Sequence, residues 1–172
     1  KFHQRVVEAF DIMTRYYEEN RVHVEGWKTN DAWRVNRRVV LPRIVDVWYG
    51  GDGHLTYDDT RQHLADIDRA MAFLEGKKLE SVPRTMVCAL EEHFKECGPD
   101  FSGVLFESTY FEMRCYKKGT LHMYFKDKEL WERFNLTAAR GKNWLPDDVK
   151  AREREERARN KRADQYGLPL SA

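Results

Sequence analysis

Apolar residues recur at helical spacing at the start of the chain. Phe2, Val6, Ala9, Phe10, Met13 and Tyr17 fall on one face, which predicts an amphipathic helix over residues 2–19. A polar stretch, residues 20–30, follows. Thr29, Asn30 and Asp31 then offer caps for a second helix through Trp33, Val40 and Trp48, with Pro42 inside it. Proline lacks a backbone donor and collides with the preceding turn, so a kink or break is expected there. Gly50, Gly51 and Gly53 around Asp52 read as a loop. Residues 58–74 carry the stripe Leu64, Ile67, Met71 and Leu74 and stop at Gly76. Ser81 and Pro83 open a helix over residues 84–97 that turns Val87, Leu90 and Phe94 inward, and Gly98-Pro99-Asp100 ends it.

The period then changes from helical to two. Phe111, Met113 and Cys115 point one way, and Glu112, Arg114 and Tyr116 the other. Beyond Lys117-Lys118-Gly119, the apolar set is Leu121, Met123 and Phe125. A two-residue turn at Lys118-Gly119 would pair Cys115 with His122 and mix the faces. A three-residue loop pairs Cys115 with Leu121, Met113 with Met123 and Phe111 with Phe125, which keeps every apolar residue together. It also puts Gly119 where a bulged loop turns left-handed. The polar face then pairs Arg114 with His122 and Glu112 with Tyr124.

Asp127 caps a helix over residues 128–139 that buries Leu130, Trp131 and Phe134, and Gly141 ends it. Asn143-Trp144-Leu145-Pro146 reads as a short extended lock, with Trp144 seated on the core. The tail differs in kind. Residues 150–162 hold seven basic side chains against three acidic ones and no large apolar residue. Arginine, glutamate and alanine favour helix, so a solvated helix is expected, with Asp147 and Asp148 at its start, fraying before Gly167. These elements make an α+β fold: a mostly helical single domain over residues 1–146, with an antiparallel hairpin (about residues 110–125) packed on helices, and a charged helical tail or linker over residues 147–172.

At 172 residues the chain suits one domain with an appendage. Charged residues make up 34 %, but the net charge is only +1, so any basic surface must be local. Cys88, Cys97 and Cys115 are scattered, with no Cys-x-x-Cys, which fits reduced thiols in a cytoplasmic protein. No apolar run of about 18 residues and no signal-peptide pattern occurs, so no membrane contact is expected. Beginning at Lys1 and not Met, the chain reads as a piece of a longer protein. The Asn135-Leu136-Thr137 sequon falls inside a predicted helix and is read as chance.

Three stretches carry a resemblance: AWRVNRRVVLPRIV (residues 32–45), LADIDRAMAFLEGKK (64–78) and FEMRCYKKGTLHMYFKDKELWERFNLTAARGKNWLP (111–146). They resemble an uncharacterised domain family of bacterial phage, prophage and mobile-element proteins. That family often accompanies, or is fused to, adenine-specific DNA methyltransferase domains. The resemblance covers most of residues 25–146 and implies a setting of DNA modification, phage biology or host defence. It supplies no catalytic residues. The chain itself has neither the glycine-rich strand-turn-helix loop of a methyltransferase cofactor site nor an Asp/Asn-Pro-Pro-Tyr/Phe motif, because its prolines are all isolated. No cofactor is called for.

Candidate chemistry is therefore mostly that of binding. Arg34, Arg37, Arg38 and Arg43 cluster; on a helix the first three would share a face able to neutralise phosphates, or equally to pair with acids such as Asp31 and Asp46. The hairpin face offers Arg114, Tyr116, His122 and Tyr124, with Lys117 and Lys118 at the tip. Aromatics beside cations suit base stacking or a phosphate grip; the plain alternative is ordinary cross-strand pairing. Pro99-Asp100 followed by Glu112-Met113-Arg114 faintly echoes the Pro-Asp…Glu-x-Lys pattern of metal-dependent nucleases, so Asp100 and Glu112 are the weak catalytic candidates. The six histidines lack His-x-x-x-His spacing, and no metal site is expected. Asp68, one position off its stripe, is expected to form an ion-pair clasp with Arg37 or Arg38. The leading expectation is a non-catalytic module that binds DNA, RNA or a fused or separate protein. A protein–protein element of phage–host conflict comes next, raised if Trp27, Trp48 or Tyr57 share an exposed patch. A nuclease comes last.

Overall fold

The computed structural model of the chain describes residues 3–14, 21–22, 34–57, 59–145 and 147–167. Helix α1 spans Gln4–Thr14. Strands β1 (Arg21–Val22) and β2 (Arg34–Val35) pair antiparallel. Next come β3 (Arg38–Leu41), β4 (Val45–Val47), β5 (Gly53–Leu55), α2 (Thr60–Leu74) and α3 (Met86–Cys97). Strands β6 (Phe106–Glu107), β7 (Phe111–Cys115) and β8 (Leu121–Phe125) precede α4 (Lys128–Gly141) and α5 (Asp147–Tyr166). The fold is α+β, as expected. The expected continuation of α1 past Thr14, the polar stretch apart from β1, the caps at residues 29–31, and Trp27, Trp33 and Pro146 lie outside the described residues.

The hairpin forms in the expected register: Phe111 faces Phe125, Met113 faces Met123, Cys115 faces Leu121 and Arg114 faces His122. Gly119 turns the loop with φ of 106°. The sheet is wider than a hairpin. Strand β3 adds to β8 and β6 to β7, giving four antiparallel strands in the order β3-β8-β7-β6.

The helix expected through Val40 and Trp48 does not form; that segment is β2, β3 and β4. Its residues explain the outcome. Val35, Val39, Val40, Ile44, Val45 and Val47 are β-branched and lose rotamer freedom in a helix. Pro42 cannot donate a helical bond, and it occupies the bend between β3 and β4. Val39 and Leu41 point into the core opposite Met123 and Leu121, and Val45 opposite Leu55. Arg34, Arg37 and Arg38 therefore share no helix face.

One face of the four-stranded sheet closes over the helices. Helix α1 packs on α2 and α4, and α2 on α3. A run of rings joins the layers: Phe10 of α1 lies 6.4 Å from Phe134 of α4, which lies 5.7 Å from Phe125 of β8, itself 4.9 Å from Phe111 of β7. Trp144 sets its ring edge-on to Phe10 at 5.9 Å, seated on the core as expected.

Local chemistry fixes α4. The Glu129 and Leu130 amides donate to the Asp127 carboxylate at 2.9 and 3.2 Å. At the other end Asn143, not Gly141, takes the left-handed conformation, with φ of 57°. The Trp144 amide reaches back to the Ala139 carbonyl at 2.8 Å and the Asn143 amide to Arg140 at 3.1 Å, a Schellman closure. Gly141 serves packing instead: a Cβ there would come 2.5 Å from Val7 Cγ2 of α1.

Midway along α4, Asn135 is fully buried. The Val35 amide donates to its Oδ1 at 2.7 Å, its Nδ2 donates to the Trp131 carbonyl, and Trp131 Nε1 donates to the Val35 carbonyl at 3.0 Å. Both side-chain ends are occupied. Asn135→Ala strands the buried Val35 amide, and a loss of about 1–3 kcal/mol in a urea titration is expected; an unchanged midpoint would mean that β2 is held by other contacts.

Asp68, fully buried on α2, makes no ion pair with Arg37 or Arg38. The Met86 amide, in the first turn of α3, donates to Asp68 Oδ2 at 2.6 Å, and Oδ1 has no hydrogen-bond partner among the described residues. Arg37 is spent elsewhere, donating to the carbonyls of Phe125 and Lys126 at 3.0 Å each. The clasp is thus a helix cap joining α2 to α3.

Candidate functional site

Alternation sends every second residue of the four-stranded sheet away from the core. Across one row the register aligns Arg38 (β3), Tyr124 (β8), Glu112 (β7) and Glu107 (β6); across the next it aligns Val40, His122 and Arg114. Arg38, Glu112, Arg114 and Tyr124 are exposed, Tyr124 at 39 %. Tyr116 follows β7, and its ring lies 4.8 Å from that of His122. The Arg37 guanidinium sits 4.8 Å from the Tyr124 ring centre, a cation–π contact held by its two carbonyl bonds.

The charges on this face are graded. Arg38 and His122 lie toward β3, and Lys117 and Lys118 at the tip. Among the described residues, Arg38, Arg114, Lys117 and Lys118 have no carboxylate partner. On the β6 side Glu107 pairs with Lys126 at 3.1 Å. Partial burial, then the positive charges of Arg38 and Lys118, hold His122 below the usual histidine value, so its ring is neutral at pH 7. The His122 and Tyr116 rings are tilted by 57° to each other, so each offers its own face for stacking.

The structure thus gathers Arg38, Arg114, Lys118 and His122 on one surface, with Arg37 at its margin, while the Lys117 ammonium turns toward Gly51 of the β4–β5 turn. Arg34 lies apart, on β2, with its guanidinium 5.9 Å from the Trp131 ring centre and Glu132 near it. Asp100 ends the 3-10 turn after α3 and is exposed, while Glu112 stands on the outward face between Tyr124 and Glu107. Among the described residues, no group of three or more His, Cys, Asp or Glu side chains is placed to hold a metal ion. All three cysteines are free.

A second surface belongs to the β4–β5 hairpin. Its inward positions are Val45 and Leu55; its outward ones include Asp46, Trp48 and His54. Trp48 stacks on His54 at 3.9 Å and meets Tyr57 edge-on at 6.3 Å. Trp48 is 52 % and Tyr57 80 % exposed, and Tyr49 projects from the turn. This grouping escapes a helical reading of residues 33–48. The signal for it is the alternation of Val45 and Val47 with Asp46 and Trp48, broken by Gly50-Gly51.

Among the described residues no helix is long and apolar enough to cross a membrane. No curated protein and no solved structure matches the chain. Residues 1–144 match the family described as a domain of unknown function, DUF4942, and the chain belongs to that family.

Proposed function

We propose that the chain is a non-catalytic nucleic-acid-binding module whose contact surface is the outward face of the four-stranded sheet. The supporting observation is one array: the Tyr124 and Tyr116/His122 rings stand among Arg38, Arg114 and Lys118, which have no carboxylate partner among the described residues. Rings on a sheet stack unpaired bases, and the cations beside them neutralise the connecting phosphates. A single strand, whose bases are accessible, suits a flat surface better than a duplex does. In this reading the module brings a DNA-modification or defence protein of a phage or mobile element to its strand. A methyltransferase-type domain elsewhere in such a protein supplies the chemistry.

Fluorescence anisotropy with single-stranded DNA, single-stranded RNA and duplex at two salt concentrations tests this. Single strands are expected to bind more tightly than duplex, and Tyr124→Ala to weaken them by about 1–3 kcal/mol. Arg38→Ala and Arg114→Ala are each expected to lower the salt slope by about one. No binding at low salt, or a Tyr124→Ala variant equal to wild type, would sink the reading.

The Trp48–His54–Tyr57 cluster supports a second reading, a protein-docking element, since large exposed rings grouped together are the usual anchors of interfaces. If it holds, Trp48→Ala with Tyr57→Ala abolishes capture of a partner protein and leaves oligonucleotide binding intact.

A further inference from the structure

We infer that the seam between α4 and α5 is a binding site for a phosphate group. A pocket of about 220 Å³ opens there, lined among others by Arg140, Asn143, Lys150, Glu153, Arg154 and Arg157. That is room for several water molecules, and so for phosphate or pyrophosphate.

The charges of this pocket do not balance internally. Glu153 is its one acid, and Arg140 takes both of its oxygens: Nε donates to Oε2 at 3.1 Å and Nη2 to Oε1. A two-pronged pair of this kind fixes the Arg140 fork and uses up the carboxylate. The carboxylate near Lys150 is that of Asp147, 3.8 Å away and fully exposed. Among the described residues Arg154 and Arg157 have no carboxylate partner. Two guanidinium groups therefore face the cavity without a carboxylate partner among the described residues, and Lys150 has only a long, exposed one.

The placement of these groups is also unfavourable unless something sits between them. Lys150, Arg154 and Arg157 follow one another at spacings of four and three on one face of α5, where like charges repel, and Glu153, the acid among them, is held by Arg140. An anion in the pocket reverses that cost. Guanidinium forks match the planar pairs of oxygens on a phosphate, and a nearby ammonium adds a point charge. Asn143 lines the same rim, where its side-chain carboxamide supplies a neutral donor. Phosphate is the ligand class that satisfies two forks, an ammonium and an amide together. It can arrive as a free phosphorylated small molecule or as part of a polynucleotide backbone. The site uses none of the sheet residues and stands independently of the reading above.

The test is isothermal titration of the whole chain with inorganic pyrophosphate, in buffers matched in ionic strength with sodium chloride. Saturable binding is expected, weakened tenfold or more by Arg154→Ala combined with Arg157→Ala and left unchanged by Tyr124→Ala. Alanine favours helix, so circular dichroism of the double variant is expected to retain α5. Arg154→Lys with Arg157→Lys, which keeps charge but removes the forks, is expected to fall between the two. A parallel titration with a single-stranded oligonucleotide distinguishes the sources. Weakening of both ligands by the double variant assigns the pocket to a polynucleotide phosphate; weakening of pyrophosphate alone assigns it to a free phosphorylated compound. Pyrophosphate binding no stronger than that of chloride, or equal in wild type and double variant, overturns the inference.

Discussion

Phe134→Ala is expected to destabilise the protein by about 3–5 kcal/mol and to lower its thermal midpoint by about 6–20 °C. Phe134 is fully buried and touches two layers at once, Phe10 of α1 at 6.4 Å and Phe125 of β8 at 5.7 Å. Truncation removes the transfer energy of one ring and leaves a hole that neither the sheet nor α1 can collapse into without parting from other contacts. The informative control is Tyr124→Ala, beside Phe125 on the same strand but facing outward. A change within about 0.5 kcal/mol is expected there, as for surface positions generally. Calorimetry on both variants decides the matter. Comparable losses at Phe134 and Tyr124 would mean that the sheet is covered on both faces and would remove the proposed contact surface as well.

Asp68 carries the second large effect, and its sign follows from linkage. Burial, only partly offset by the Met86 amide bond, pushes its carboxyl up from 3.8 to about 7. A group whose value is raised on folding adds stability that is fully present below about pH 3.8 and is lost as pH rises through 7. At 1.36 kcal/mol per unit the loss amounts to about 4 kcal/mol. Tyr110 lies near Asp68, and its own hydroxyl is pushed up by burial first and then by Glu75. Asp68→Asn keeps an oxygen for the Met86 amide and cannot ionise. It should match wild type near pH 4, exceed it at pH 8, and flatten the difference between. Asp68→Ala cannot ionise either but leaves the Met86 amide unpaired, so it should lie about 1–3 kcal/mol below Asp68→Asn at every pH. Parallel wild-type and Asp68→Asn profiles from pH 4 to 8 would show that the carboxyl ionises as freely in the folded chain as in the unfolded one.

The parts of the fold legible in the sequence are those where local signals agree with one another. At residues 111–125 the two-residue period and the position of Gly119 demand the same register, and that register forms. Asp127 and the apolar stripes mark α4 and the body of α3 for the same reason, although α3 is capped by Thr85 and not opened by Ser81 and Pro83. Residues 34–48 mislead because their strands are two to four residues long, too short for alternation to outweigh the capping residues before them. What stabilises β3 is β8, and nothing near residue 39 announces a partner at residue 123. The same distance hid one member of the candidate site: Arg114, His122 and the tip lysines are readable on the hairpin, but Arg38 joins them only through that pairing. Asp68 shows the converse limit. Its burial was legible, whereas its partner, a backbone amide, has no side-chain signature.

The pairing of Val39 with Met123 has a further consequence, for the order in which the protein is made. Translation runs from the amino end, so β3 leaves the ribosome before α2 and α3, and well before the strand that covers it. Until then Val39 and Leu41 have no sheet to join, and closing so long a loop is slow. Synthesis stalled before residue 121 would release a chain with sticky, unmatched edges, the kind of species that chaperones hold.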